Sequence, residues 1–84
     1  MMREIVIDTR ELPSPEPLER VVNALAEVTT GNYIKMIHRM EPVMLFPILK
    51  NNGFDYFKKP DGESIMIYIF LKEDAAVRTH LKEL

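Results

Sequence analysis

The chain predicts an α/β (α+β) fold: a two-layer sandwich of order β-α-β-α-β-β with a mixed four-stranded sheet, two helices on one face and an extra C-terminal helix. Three observations carry this. Short β-branched or apolar runs alternate with segments of helical periodicity through the first half of the chain. The first two crossovers contain helices, so the first two strands should run parallel with both helices on one side. Two apolar runs then meet through proline and glycine, the pattern of a hairpin.

Ile5-Val6-Ile7 places the first strand over 3–8. The stretch Asp8-Thr9-Arg10-Glu11-Leu12-Pro13-Ser14-Pro15-Glu16-Pro17 reads as strand end, turn and helix start. Ser14 suits the N-cap, with Pro15 at N1 and Pro17 at N3, where the missing N–H groups would have no intrahelical acceptor. At about 100° per residue, Leu18, Val21, Val22, Leu25, Val28 and Thr29 share one stripe of a helix running to Thr30. Gly31 is placed to end it in the left-handed region.

Tyr33 to Met40 reads as the second strand, with Ile34, Met36 and His38 toward the helices and Tyr33, Lys35, Ile37 and Arg39 on the other side. The apolar segment Val43-Met44-Leu45-Phe46-Pro47-Ile48-Leu49 is interrupted by Pro47, which predicts a broken, two-part helix ending by Asn51-Asn52-Gly53. Strands over 54–58 and 64–71 are joined through Lys59-Pro60-Asp61-Gly62. In the last strand Ile65, Ile67, Ile69 and Leu71 alternate with Met66, Tyr68 and Phe70, so both sheet faces need cover. Glu73 or Asp74 caps a final helix from Ala75 to Leu84 with Ala76, Val77, His80, Leu81 and Leu84 on one stripe. Residues 1–72 thus form the domain, and 73–84 a helical extension of it.

With 84 residues, 46% of them hydrophobic, the chain supports one small core. The absence of cysteine removes disulfides, thiolate nucleophiles and thiolate metal ligands together. A net charge of -2 without a basic patch argues against nucleic acid as a partner. No apolar run is long enough to span a bilayer, and Met1-Met2-Arg3-Glu4 does not open a signal peptide. The expectation is a cytoplasmic protein with neither nucleic-acid nor membrane partner.

Ser14-Pro15-Glu16-Pro17, preceded by Asp8 and Leu12, resembles the Cys-Pro-x-Pro signature of the TusA/SirA family of small sulfur-carrier proteins. Gly31-Asn32-Tyr33-Ile34 resembles that family's strand after the first helix, and the likeness spans residues 4 to 71. The chain is more similar to a cysteine-free, TusA-related branch of uncharacterised function, through Asp8, Arg10, Leu12-Pro13, Pro15-Glu16-Pro17 and His38-Arg39-Met40-Glu41-Pro42. The resemblance implies the same sandwich, but serine stands where the carrier thiol would. A hydroxyl cannot carry a persulfide, and its pKa is too high for a helix dipole alone to activate it. Sulfur transfer is therefore not expected, and the chain reads as non-enzymatic. A sulfur-relay or redox-associated component that has kept only the docking surface is the alternative.

The carboxyl ends of the parallel strands should meet the first helix's N-terminus, where open α/β sheets bind ligands. Asp8, Arg10, Ser14, Glu16, His38, Arg39 and Glu41 are the candidates there, for a protein partner or a small anionic ligand. Asp8, Ser14 and His38 have the identities of a hydrolase triad but no nucleophile elbow or oxyanion loop. His38, flanked by Met36 and Met40, is a candidate ligand for haem or a soft metal, with His80 as a second ligand; otherwise no cofactor is expected. On the far sheet face, Tyr33, Ile37, Met66, Tyr68 and Phe70 form an apolar patch that either the C-terminal helix or a homodimer partner should cover.

Overall fold

A computed structural model describes residues 2–84. The strands are β1 (Arg3–Asp8), β2 (Asn32–His38), β3 (Phe54–Asp61) and β4 (Ser64–Leu71); the helices are α1 (Glu16–Ala24), α2 (Leu45–Asn51) and α3 (Ala75–Lys82). The sheet order is β1-β2-β4-β3, with β1 parallel to β2 and the other two pairings antiparallel. This is the mixed four-stranded α+β sandwich that the sequence predicts.

Strand alternation sorts the side chains into two cores. On one face Ile7, Ile34, Met36, Ile67 and Ile69 pack with Val21, Leu25, Leu45 and Leu49 from the two crossover segments. On the other, Tyr33, Tyr68 and Phe70 pack under Val77 and Leu81 of α3. The C-terminal helix thus covers the second face in cis, with the His80 ring 5.8 Å from that of Tyr33. Covered by α3, and donating to Glu4, the Tyr33 hydroxyl has its pKa pushed up to about 12, chiefly by burial.

Asp74 fixes α3. Its carboxylate accepts from the Val77 N–H at the helix start and from the Gly31 N–H across the sheet end. Asp55 holds the other side, accepting from Lys50 and pairing with Arg78 at 2.9 Å. Burial disfavours its charge, but the hydrogen bonds from Lys50, the Tyr56 N–H and Arg78 outweigh that and bring its pKa down to about 2. A carboxylate with a folded pKa below its unfolded value stabilises the fold above about pH 4 and loses that contribution as the pH falls toward 2. Asp55→Asn is expected to cost about 1–2 kcal/mol at pH 7 and to flatten the acid limb of stability; urea unfolding at pH 7 and pH 3 checks both.

Several boundaries differ from the sequence expectation. The N-cap of α1 is Pro15 rather than Ser14, and no side chain caps the helix. The Pro13 carbonyl takes the Glu16 N–H at 3.0 Å instead, which starts the helix one residue later and puts Pro17 at N2. The helix tightens to a 3₁₀ turn over Leu25–Glu27 and stops short of Thr30. Asn32 explains this: its buried side chain accepts from the Thr29 N–H and donates to the Glu27 carbonyl, closing the loop that longer helix would occupy. Gly31 has φ +89° in that loop and leads into β2 rather than capping α1.

β2 ends at His38, not Met40, because β1 and β4 offer no further partner beyond Ile37 and His38. The segment after it is a single helix, not two parts; Pro47 falls in its first turn, where the lost N–H has no acceptor. The hairpin turn is Gly62-Glu63, two residues later than expected. Pro60 lies inside β3, tolerated because β3 is an edge strand. α3 ends at Lys82 rather than Leu84.

Candidate functional site

β1 and β2 deliver their carboxyl ends side by side, with Asp8 in register with Ile37. The chain continues the pairing for one residue past β1. The Thr9 N–H and the Thr9 hydroxyl both donate to the Ile37 carbonyl at 2.9 Å, and the Thr9 carbonyl then accepts from Leu12 to close a turn. A hydroxyl has one proton, and a carbonyl can only accept it. The 3.0 Å contact between Thr9 Oγ1 and His38 Nδ1 therefore places the ring proton on Nδ1. Nε2 is left as the free lone pair. His38 is only 9% exposed, yet among the described residues no buried side-chain nitrogen or oxygen lacks a partner. Nε2, which has no partner among the described residues, is thus an atom through which the ring reaches the surface. Burial lowers the His38 pKa; a ring N–H donating to the Thr9 backbone opposes this and the Arg39 charge adds to it, so the neutral form is favoured.

The ring opens onto a groove of about 490 Å³ between the start of α1 and the loop from β2 to α2. Leu12, Pro15, Pro17 and Leu18 form one wall; Met36 and Leu45 form part of the lining from the core. Met40, Val43 and Met44 line it from the loop and are 67%, 66% and 76% exposed. Three exposed apolar side chains within five residues make a patch that isolated surface residues would not. The loop is tied down through Glu41, which pairs with Lys58 on β3 and raises the lysine pKa. Arg39 lines the same groove, and among the described residues no ion pair holds it.

The structure brings Ser14, His38, Arg39 and Glu41 to this groove. Asp8 and Arg10 are not part of its lining. Arg10 grips the Asp8 carboxylate with both Nε and Nη2, at 2.7 Å for the latter, and its backbone N–H donates there too. These bonds hold Asp8 at a pKa of about 2 and raise that of Arg10. Glu16 is exposed in the first turn of α1, outside the lining. With Asp8 committed to Arg10 and Nδ1 of His38 to Thr9, the Asp8–Ser14–His38 set has no carboxylate–imidazole pair. His80 packs on Tyr33 on the opposite sheet face, so it does not share a metal with His38. Among the described residues no three His, Cys, Asp or Glu side chains cluster as a metal site. Thr9 and the apolar walls are what the sequence reading missed. Thr9 gives no signal in sequence beyond its place after a strand; Met40 read there as a strand end beside His38, and Val43 and Met44 as part of a broken helix.

A second cleft, about 590 Å³, lies at the other end of the sheet, lined by residues including Thr30, Asn52, Lys72 and Glu73; it collects none of the candidate residues. No described helix is long and apolar enough to cross a membrane.

Residues 6–69 match the family described as Uncharacterized conserved protein (DUF2249). The chain belongs to the DUF2249 family. The matched stretch contains the Thr9–His38 pair and every residue of the groove; α3 lies beyond it. No curated protein and no solved structure matches the chain.

Proposed function

We propose that this DUF2249 domain is a cytoplasmic, non-enzymatic binding module of TusA-like build, and that the groove beside His38 is its ligand site. The observation that carries the reading is the co-location of an exposed apolar wall with two polar groups that have no partner among the described residues, the His38 Nε2 lone pair and the Arg39 guanidinium. Ligand sites are mostly apolar with a few placed polar groups, and typically about 300–1,000 Å³ in volume. The ligand class that fits is amphipathic: an apolar body against Leu12, Leu18, Val43 and Met44, an acidic end at Arg39, and an electron-pair acceptor or hydrogen-bond donor at Nε2. The TusA likeness is supported by the element order and the parallel β1–β2 pair. The sulfur-relay alternative keeps only a docking surface, since residue 14 is serine and the chain has no cysteine, and it predicts instead affinity for a desulfurase or other sulfur-transfer protein.

Dodecanoate is a minimal probe of the apolar and acidic parts. Titrating it should move the amide and methyl resonances of Leu12, Leu18, Val43 and Met44 in a saturable way and leave Val77 and Leu81 unmoved. Arg39→Gln should weaken it roughly fivefold, as loss of an exposed charge contact does. Shifts confined to α3, or no saturable binding, would contradict the reading.

A further inference from the structure

The polar group at the groove wall narrows the ligand further. We propose that the groove is a metalloporphyrin site, with haem as its ligand and His38 Nε2 as the axial donor. The proposal rests on the groove being the ligand site and adds what the ligand is.

Ligating histidines donate their second ring N–H to an oxygen acceptor, which fixes the tautomer and aims the free nitrogen. His38 has this arrangement: Nδ1 is held by Thr9, whose hydroxyl is itself fixed on the Ile37 carbonyl. A bare metal ion is a poor match, because among the described residues no cluster of three His, Cys, Asp or Glu supplies a coordination set. A porphyrin brings four nitrogen ligands of its own, so one protein imidazole suffices. The space also favours a large apolar body over an ion, and Arg39 stands at the lining for an acidic edge such as a propionate. Met40 and Met44 add soft thioether side chains to the same lining.

The test compares haemin with metal-free protoporphyrin, which offers the same apolar plate and acidic edge without the Lewis acid. The expected result is a shifted Soret band with haemin at one equivalent and an affinity at least tenfold above that for protoporphyrin. His38→Ala should erase that excess, and added imidazole should restore the Soret band. Thr9→Val should weaken haemin about tenfold, as loss of a supporting hydrogen bond does at ligating histidines. Val43→Glu, at an exposed rim position, should leave the fold intact and weaken both porphyrins. Equal affinities for the two, unchanged by His38→Ala, would overturn the axial-donor assignment while leaving the groove as a ligand site. Porphyrin binding that Val43→Glu does not weaken would place the ligand elsewhere, and no haemin binding at all would overturn the proposal, the dodecanoate titration then deciding the groove by itself.

Discussion

Removal of residues 73–84 is expected to convert a folded domain into a destabilised, self-associating chain. The helix lost in that truncation is the cover of the second core, where Tyr33, Tyr68 and Phe70 lie buried beneath Val77 and Leu81. Re-exposing one side of three aromatic rings costs about 3–6 kcal/mol. A domain of this size has on the order of 4–12 kcal/mol to lose. The Asp74 ties to Gly31 and Val77 and the Arg78 pair with Asp55 go with it. Val6 is already exposed on the same side as Tyr33, so truncation would add the uncovered rings to the apolar area of that face. Thermal unfolding and light scattering after size exclusion check this. An unchanged melting temperature with a monodisperse monomer would mean that α3 is not the cover it is taken to be.

The second large effect separates two neighbours in sequence. Leu45 is fully buried in the helix-side core while Met44, one residue earlier, is 76% exposed on the groove rim. Leu45→Ala leaves a cavity under α2 and should cost about 2–5 kcal/mol. Met44→Ala should change stability by no more than about 0.5 kcal/mol, as exposed substitutions do. Binding should reverse the order of concern: Met44→Ala is expected to weaken dodecanoate measurably in a fully folded protein. Denaturant unfolding and the probe titration on both variants distinguish a rim that serves binding from one that serves only the fold. Equal stability losses at the two positions would contradict the division.

Much of the fold was legible because the signals were local. The β-branched run at Ile5–Ile7, the helical stripe from Leu18 to Leu25 and the two-sided apolar alternation of β4 each dictate an element whatever surrounds it. The errors fall where a tertiary partner decides. Ser14 looks like a cap until the Pro13 carbonyl is seen to take the Glu16 N–H. The first helix looks longer until the Asn32 side chain closes the loop beneath it. Pro60 looks like a turn residue until β3 proves to be an edge.

The site divides in the same way. His38, Arg39, Ser14 and Glu41 were recognisable because chain topology alone sends them to one sheet end. Asp8 and Arg10 were grouped with them by that logic, and their mutual ion pair takes both out of the groove. Thr9 was invisible, since its importance lies in where one hydroxyl proton goes. The apolar walls were hidden for a different reason: Met40, Val43 and Met44 have the composition of a core, and only packing reveals that they stand exposed.

The role of His38 turns on one proton. A long-range ¹H–¹⁵N spectrum of the imidazole rings at pH 7 reads the His38 tautomer directly. The structure predicts a protonated, pyrrole-type Nδ1 and a lone-pair, pyridine-type Nε2, with Thr9→Val loosening that preference. A protonated Nε2 beside a bare Nδ1 would mean that the Thr9 hydroxyl donates to the ring, and that His38 presents a donor rather than a lone pair to the groove.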